Sequence, residues 1–322
     1  MNRAFLIGLL TGLTAVIVWG IQLPIAKDAF VTVNPLHLTS IRYAIAVLCL
    51  ALILVAREGL GALSYRGAGL RTSAYGVIGM CCSPLFAFVG MALSSAEHIV
   101  VIGCLQPAMA ALALWLFRRR RPARFTLMCI VAAFFGVVLV VTRGSVAFIE
   151  TPRQLAGDLI GLIGAMCWVA YTVGVGRLSG WSTWRVTVLT MIPGTLTTLA
   201  LTALLAAASI IEPPSLAAVL SVGWQLAYLS FAGVVFGMLA WNFGSRRIGV
   251  LNSSLLINFM PVATFAFRAL QGHAIAPIEA IGAALVVAAL IMNNLYLRRQ
   301  HVLGLRASAG SRTGTDRTHA RR

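Results

Sequence analysis

The sequence predicts an all-α integral membrane protein of ten transmembrane helices, arranged as two inverted repeats of five helices each. Three observations lead to this fold class. Of the 322 residues 60% are hydrophobic and only 10% are charged, with a mean hydropathy of +0.92, whereas a soluble domain carries roughly 25% charged residues. The apolar residues form nearly charge-free runs of about 20, the length at which a helix crosses a bilayer. The two halves of the chain also match each other at a constant spacing.

Ten apolar stretches, named spans 1 to 10, are expected to form the transmembrane helices. The first apolar run follows Arg3 and continues to Ala26 without a charge or a small-x-small cleavage site. We therefore expect a retained helix there rather than a cleaved signal peptide. In chain order the spans cover residues 4–26, 36–56, 74–93, 98–117, 125–142, 155–175, 186–207, 222–244, 249–268 and 276–296.

The distribution of basic residues between the spans predicts the orientation. Cytoplasmic loops of membrane proteins hold an excess of Lys and Arg. With the N-terminus inside, cytoplasmic segments hold 20 of the 25 basic residues and the opposite side holds four, while Arg42 lies within span 2. Both termini are therefore expected to be cytoplasmic.

The composition excludes several functions. The net charge of +17 comes from residues between and after apolar runs, which orients a membrane protein and predicts no nucleic-acid partner. Lys27 is the only lysine, so a phosphate-binding loop that ends in Lys-Ser or Lys-Thr is absent. The six cysteines lie inside apolar runs without a Cys-x-x-Cys motif, so we expect neither a zinc site nor a disulfide framework. No cofactor is expected.

The segment 298–322 is a basic tail. It contains seven Arg and a single acidic residue, Asp316, and almost no large apolar residue after Leu305. Such a segment cannot bury enough apolar surface to offset the entropy lost on ordering, so we expect a disordered cytoplasmic tail. Contact with lipid headgroups is the alternative to a simply solvated tail.

An internal repeat relates the two halves. Five identities of spans 1 and 6 recur at an offset of 149 residues: Gly8/Gly157, Leu10/Leu159, Gly12/Gly161, Leu13/Leu162 and Trp19/Trp168. Three more recur at an offset of 154: Gly79/Gly233, Gly90/Gly244 and Pro107/Pro261. We therefore expect repeat 1 over residues 8–142 and repeat 2 over residues 157–296.

The repeats are expected to be inverted. Because each has an odd number of spans, the second copy must enter the membrane from the opposite side, as in many secondary transporters. The loop after span 4 contains Arg118–Arg121 and Arg124, whereas the equivalent segment 271–277 after span 9 has no Lys or Arg. Opposite charge content agrees with equivalent loops that face opposite sides.

Several features together resemble the EamA domain of the drug/metabolite transporter superfamily. They are the Trp19-Gly20 pair in span 1, Trp168 with Tyr171 in span 6, the small residues near the ends of spans 3 and 8, and the prolines of spans 4 and 9. The resemblance covers both repeats. It implies an alternating-access carrier of small metabolites, often an exporter, in a bacterial inner (plasma) membrane.

The chain departs from the family pattern at one pair of positions. The family often has a Glu that closes the span following the proline, and the aligned residues here are Arg119 and His273. That Glu is interpreted as structural, so nothing about ion coupling is inferred from its replacement.

Arg42 is the strongest anomaly among the charged residues, because it lies about six residues into span 2. A charge at membrane depth is costly unless it is paired, hydrated or able to reach the interface. Two interpretations stay open: the side chain extends to the outer surface, or it faces a substrate cavity. In the second case a ligand carboxylate would be its natural partner.

Spans 4 and 9 supply further candidates for the substrate path. Pro107 and Pro261 occupy equivalent positions, and each leaves a backbone carbonyl without its helical partner. Gln106 lies near the middle of span 4, and Asn258 lies on a polar face of span 9. A packed kink without a ligand is the alternative for each proline.

Aromatic residues of spans 1, 6 and 8 are expected to form a wall for an apolar or planar substrate. They are Trp19, Trp168, Tyr171, Tyr228 and Trp241. Trp and Tyr near span ends also anchor helices at the membrane interface, and that alternative stays open for Trp19 and Trp168.

Glycines in spans 1, 6 and 8 form small helix faces that allow neighbouring helices to approach closely. Gly8 with Gly12 and Gly157 with Gly161 are two such pairs. We expect these glycines to serve helix packing rather than substrate binding.

Three titratable residues on the outer side could link transport to protons: His98, Asp158 and Glu279. No span has a carboxylate at mid-membrane, which disfavours a buried acidic proton relay. Facilitated transport or exchange therefore agrees with the sequence as well as proton coupling does.

The sequence favours a secondary transporter of a small organic metabolite, with membrane lipids as its other partner, rather than an enzyme. An intramembrane enzyme acting on lipid substrates is one alternative, but paired metal-binding carboxylates, a Ser/His couple and an Asp-rich motif are missing from the sequence. A scaffold or lipid-handling membrane protein without solute flux is the other. The repeat argues against it, because a symmetric architecture suits alternating access.

Overall fold

The structure is a computed structural model that describes most of the chain, and the described residues are almost entirely helical. Within this part, seven helices are long and apolar enough to cross a membrane, and they correspond to spans 1, 2, 3, 6, 7, 8 and 9. They are Arg3–Phe30, Pro35–Glu58, Gly69–Met91, Pro152–Val175, Thr183–Ala207, Gly223–Ile248 and Asn252–Leu270. The described residues are 3–94, 99, 102–118, 122–142, 152–178, 180–272, 277–278, 280–289, 291–293, 295–296 and 299–300.

The other three predicted spans are helical as well. Gln106–Arg118 forms the described helix of span 4, and Arg124–Thr142 forms span 5. An apolar helix within Ala280–Asn293 lies in span 10. Helical structure is therefore present at all ten predicted positions.

Polar side chains at the helix starts set two of the boundaries. Asn34 accepts a hydrogen bond from the amide of Leu36 at the start of the span 2 helix, and Ser182 accepts one from Arg185 at the start of the span 7 helix. Each bond satisfies an amide that has no partner in the first helical turn. The span 2 helix ends at Glu58 and is capped by Gly59, whose φ of 79° suits glycine alone among ordinary residues.

Spans 3 and 8 each contain a π-helical segment, at Val77–Cys82 and at Tyr228–Phe236. The offset of 154 residues places the first segment on 231–236, inside the second. In a π-helix the hydrogen bonds reach one residue further, which widens the turn and changes the direction of the following side chains. The two halves therefore share this irregularity at equivalent positions.

Spans 4 and 9 are interrupted at equivalent positions as well. The chain leaves the helix at 104–105 in span 4 and at 258–259 in span 9, again 154 residues apart. A new helix starts directly afterwards, at Gln106 and at Met260, with Pro107 and Pro261 in its first turn. Proline is tolerated there because the first helical turn needs no amide donor.

Close helix contacts join one half of the chain to the other. A Cβ atom added to Gly90 in span 3 would lie 2.7 Å from the carbonyl oxygen of Gly157 in span 6. A Cβ added to Gly244 in span 8 would lie 2.8 Å from the carbonyl oxygen of Gly8 in span 1. Both distances are shorter than real Cβ contacts, so only glycine permits these approaches. The packing role expected for these glycines agrees with the contacts.

The polarity of the fold suits a lipid environment. Large apolar side chains such as Leu10, Leu48 and Phe231 are exposed on the outer surface, as they would be against acyl chains. Polar side chains, including Arg42 and Asn242, are buried between the helices. Polar groups therefore converge on the interior of the bundle, where the candidate site lies.

Candidate functional site

A cavity of about 220 Å³ lies between helices of both halves. Of the residues predicted for the substrate path, Trp19, Arg42, Gln106 and Trp168 line it. The complete lining consists of Trp19, Gln22, Leu23, Arg42, Tyr43, Gly79, Ser83, Pro84, Ala87, Phe88, Gln106, Trp168, Gly233, Val234, Met238, Ile257 and Met260. Spans 1, 2, 3, 4, 6, 8 and 9 all contribute, so the cavity belongs to the junction of the halves rather than to one of them.

Arg42 supplies the charge in this cavity. Its side chain is 6% exposed, and its Nε atom has no hydrogen-bond partner. The guanidinium carbon lies 5.1 Å from the centre of the Tyr43 ring and 6.0 Å from that of Phe88, which are cation–π distances. None of the described residues that line the cavity is acidic. The structure therefore agrees with the interpretation in which Arg42 faces a cavity.

Two amide side chains face the same space. The Oε1 atoms of Gln22 and Gln106 are both buried without a hydrogen-bond partner. Gln22 packs against the backbone of Gly233 in the π-helical segment of span 8. Gln106 is the first residue of the helix that follows the break in span 4. A buried acceptor without a partner is costly, and a polar ligand in the cavity would relieve that cost.

Trp19 and Trp168 form the aromatic side of the cavity. Their ring centres are 5.4 Å apart and the rings meet edge to face at 84°, a favourable aromatic geometry. The indole Nε1 of Trp19 donates a hydrogen bond of 2.8 Å to the carbonyl oxygen of Gly233. This bond joins the Trp19 ring of the first half to span 8 of the second half, and both tryptophans line the cavity.

Trp241 and Tyr171 pack behind this wall and do not line the cavity. Both are fully buried, and Trp241 lies 5.4 Å from Trp19 while Tyr171 lies 5.4 Å from Trp168, measured between ring centres. Their rings support the orientation of the two lining tryptophans.

The breaks in spans 4 and 9 also lie behind the lining. Pro107 and Pro261 are buried, and their neighbours Gln106 and Met260 reach the cavity in their place. Asn258 is fully buried, and both its Oδ1 and its Nδ2 lack a hydrogen-bond partner. The interrupted helix therefore places an unsatisfied amide next to the lining residue Ile257.

Of the three residues predicted to link transport to protons, the structure describes Asp158, and Asp158 is not part of the cavity lining. Asp158, at the other end of span 6 from Tyr171, accepts a hydrogen bond of 2.6 Å from the Ser94 hydroxyl. His98 and Glu279 fall outside the described residues, as do Arg119 and His273, the positions aligned with the family's Glu.

The sequence reasoning missed Gln22, Tyr43 and Ser83. The repeat contained a signal for Gln22, because the offset of 149 residues makes it the equivalent of Tyr171. The two occupy matching places: Gln22 packs on Gly233 and Tyr171 packs on Gly79, the equivalent glycine. No pattern in the sequence marked Tyr43 or Ser83.

A second cavity of about 310 Å³ lies between spans 3, 4 and 6. Its lining is apolar apart from Tyr75 and Arg177, and it includes the exposed Met166 and Ala170. This space offers few groups that could orient a polar solute. The junction cavity is therefore the better candidate site.

Comparisons with known proteins agree with this architecture. The sequence matches the EamA-like transporter family twice, over residues 6–142 and 155–295. It is 29% identical over 298 residues to the uncharacterized transporter YrdR of Bacillus subtilis (strain 168), covering 91% of this chain and 93% of that protein. It is 28% identical over 282 residues to the uncharacterized transporter YyaM of the same organism, covering 87% and 90%. One solved crystal structure of a protein has the same fold, with a TM-score of 0.77 and 23% identity over 91% of this chain and 98% of that one.

Proposed function

This chain belongs to the EamA-like transporter family, and we propose that it is a secondary carrier of a small organic metabolite that works by alternating access. The observation that carries the proposal is the cavity at the junction of the two halves, with buried polar groups that lack partners. A membrane transporter needs a site that both sides can reach in turn, and such sites lie at repeat interfaces. The volume of about 220 Å³ is below the roughly 300–1,000 Å³ of pockets for drug-sized ligands, so a small solute fits best.

We propose that residues 8–142 and 157–296 form two inverted repeats of five spans each, with both termini in the cytoplasm of an inner (plasma) membrane. Equivalent π-helical segments in spans 3 and 8 and equivalent breaks in spans 4 and 9 support the repeat. The contact pairs Gly90/Gly157 and Gly244/Gly8 support it further. Each pair joins the third span of one half to the first span of the other half.

The proposed substrate path runs through the junction cavity. Its lining would include Trp19, Arg42, Gln106 and Trp168. Movement of one half against the other would open this space to either side in turn, with the interrupted helices at Pro107 and Pro261 as flexible points. Tyr171, Trp241 and Asn258 would hold the lining in place from behind.

The family resemblance favours export as the net direction. A proton gradient would act through His98, Asp158 or Glu279, which are expected on the outer side. The described lining of the cavity has no carboxylate, so the central site itself would bind solute without a proton relay.

Flux through the purified protein in lipid vesicles tests the proposal. Pools of amino acids, nucleosides, sugar derivatives and organic acids would be screened with and without a pH gradient. We expect saturable flux of at least one pool, absent from protein-free vesicles. Gln106→Leu should weaken that flux without lowering the amount of folded protein, because it removes a lining amide and keeps the helix. Folded protein that moves no pool would contradict the carrier and favour lipid handling.

A further inference from the structure

We propose that the junction cavity binds a small organic anion, with a carboxylate at Arg42 and an apolar or planar body against Trp19, Trp168 and Phe88. This inference rests on the proposed function, because it names the class of solute for the same site. Four properties of the cavity carry it: one uncompensated positive charge, unsatisfied amides, an aromatic wall and a small volume.

The charge of Arg42 has no counterpart in the described lining. The side chain is 6% exposed, its Nε has no partner, and its neighbours in the cavity are amides, the hydroxyls of Ser83 and Tyr43, aromatic rings and aliphatic groups. Ring faces and amide oxygens attract a cation without neutralising it. A buried charge is strongly unfavourable unless an opposite charge lies beside it. The cavity therefore favours binding of an anion, which would neutralise Arg42.

The groups around Arg42 fit a carboxylate better than a phosphate. A guanidinium presents parallel N–H donors that match the two oxygens of a carboxylate. A phosphate monoester carries nearly two negative charges, and Arg42 is the sole cation in the described lining. A monocarboxylate therefore leaves the loaded cavity electrically neutral, whereas a phosphate monoester leaves it negative.

The remaining lining defines the rest of the solute. Gln22 and Gln106 each have an unsatisfied Oε1 atom, which would accept a hydrogen bond from a hydroxyl or N–H group of the solute. Trp19, Trp168 and Phe88 provide apolar surface and ring faces or edges for its body. Cationic solutes are disfavoured, because Arg42 repels them and the described lining offers no carboxylate to bind them.

Ligand-induced thermal stabilisation of the purified full-length protein in detergent tests this inference independently of flux. The probes are acetate, benzoate and phenylacetate, each with its neutral amide, together with phenethylamine and phenyl phosphate. A ligand that binds only the folded protein raises the unfolding temperature in a concentration-dependent way. We expect at least one carboxylate to do so, and its amide, the amine and the phosphate ester to have a much smaller effect.

Variants of Arg42 and a matched control identify the residue responsible. Arg42→Gln should weaken carboxylate binding by at least about tenfold, since a charge-assisted hydrogen bond is lost, and Arg42→Lys should retain part of it. Arg57→Gln is the control, because Arg57 is exposed outside the cavity with its guanidinium carbon 4.8 Å from the Trp184 ring. It should bind carboxylates as the unaltered protein does. Unloaded Arg42→Gln should fold normally, because it removes a buried charge that has no acidic partner in the described lining.

The inference is overturned if no carboxylate stabilises the protein, if the amides, the amine or the phosphate ester stabilise it equally, or if Arg42→Gln binds carboxylates normally. If Arg42→Gln does not fold, the anion site is tested instead by the same probes on the unaltered protein and on Arg42→Lys. Flux without a preference for carboxylates would contradict the proposed anion site but not the proposed carrier function. Carboxylate binding without any flux would contradict the carrier function but not the anion site.

Discussion

Asn242 connects three spans through buried hydrogen bonds, and its chemistry shows how single polar residues specify this bundle. Its Nδ2 donates to the Tyr171 hydroxyl at 3.0 Å and to the Thr187 hydroxyl at 2.9 Å. Spans 8, 6 and 7 thereby meet at one amide. The bonds hold Tyr171 against Trp168, so they also support the cavity wall.

We predict that Asn242→Leu lowers the free energy of unfolding by about 1–2 kcal/mol, because the Tyr171 and Thr187 hydroxyls each lose a buried hydrogen bond. Thermal unfolding in detergent, followed by tryptophan fluorescence, would measure the loss. Thr14→Val is the matched control, since the Thr14 hydroxyl bonds only the Leu10 carbonyl of its own helix. Its effect should stay within about 0.5 kcal/mol. Equal unfolding temperatures for Asn242→Leu and the unaltered protein would show that the network adds no stability.

At the scale of single residues, the sequence predicted those that are chemically conspicuous and missed those that are not. Arg42 stood out because a charge in an apolar span is rare, and the structure places it in the cavity lining. Tyr43 follows it in the chain and resembles many other aromatic residues of the spans, so its position in the cavity depends on tertiary packing. Asn242 was missed for the same reason, because a polar residue near a span end has no distinctive pattern.

At the scale of helices, the glycine pairs Gly90/Gly157 and Gly8/Gly244 determine how closely the two halves approach. A Cβ atom added to Gly90 would lie 2.7 Å from the Gly157 carbonyl oxygen, and one added to Gly244 would lie 2.8 Å from the Gly8 carbonyl oxygen. Backbone cannot move aside as a flexible side chain does, so the helices themselves would have to separate.

We predict that Gly90→Ala and Gly244→Ala each destabilise the protein by about 1–3 kcal/mol through overpacking. The two losses should be similar, because the positions are equivalent in the repeats. Gly223→Ala is the control: it is helical, and its added Cβ would meet nothing within 4 Å. That variant should be unchanged or more stable by about 0.5–1 kcal/mol, the usual gain of Ala over Gly in a helix. The unfolding temperatures of the three variants test this prediction. Equal values for all three would contradict the close helix approach at Gly90 and Gly244.

Helix positions were predictable from the sequence, but their irregularities were only partly so. Apolar length located helical structure at all ten spans, and Pro107 and Pro261 marked the breaks in spans 4 and 9 because proline restricts the backbone before it. The π-helical segments Val77–Cys82 and Tyr228–Phe236 contain ordinary helix-forming residues. Contacts with neighbouring spans select them, as where Trp19 bonds the carbonyl of Gly233, and such contacts are not visible in a local pattern.

At the scale of the whole molecule, the inverted repeat predicts on which side of the membrane two equivalent loops lie. The loop between spans 2 and 3 contains Arg57, Arg66 and Arg71, whereas the loop between spans 7 and 8, residues 208–221, contains no basic residue. If the repeats are inverted, these loops lie on opposite sides of the membrane, with the basic one in the cytoplasm. If the repeats run in parallel, the loops lie on the same side. The charge difference supports the first arrangement.

We predict that single cysteines in these loops react with a membrane-impermeant maleimide from opposite sides. Ser64→Cys and Ala217→Cys are suitable, because both positions are exposed. They would be placed in a variant whose six native cysteines, all within spans, are replaced by alanine. Ala217→Cys should be labelled in intact cells, and Ser64→Cys only after the membrane is opened, since an arginine-rich loop is retained in the cytoplasm.

Labelling of both in intact cells, or of neither, would show that the two loops share a side and that the repeats are not inverted. Labelling of Ser64→Cys alone would keep the inversion and reverse the orientation of the whole molecule. A signal from the variant without cysteines would expose labelling elsewhere, so that variant serves as the blank.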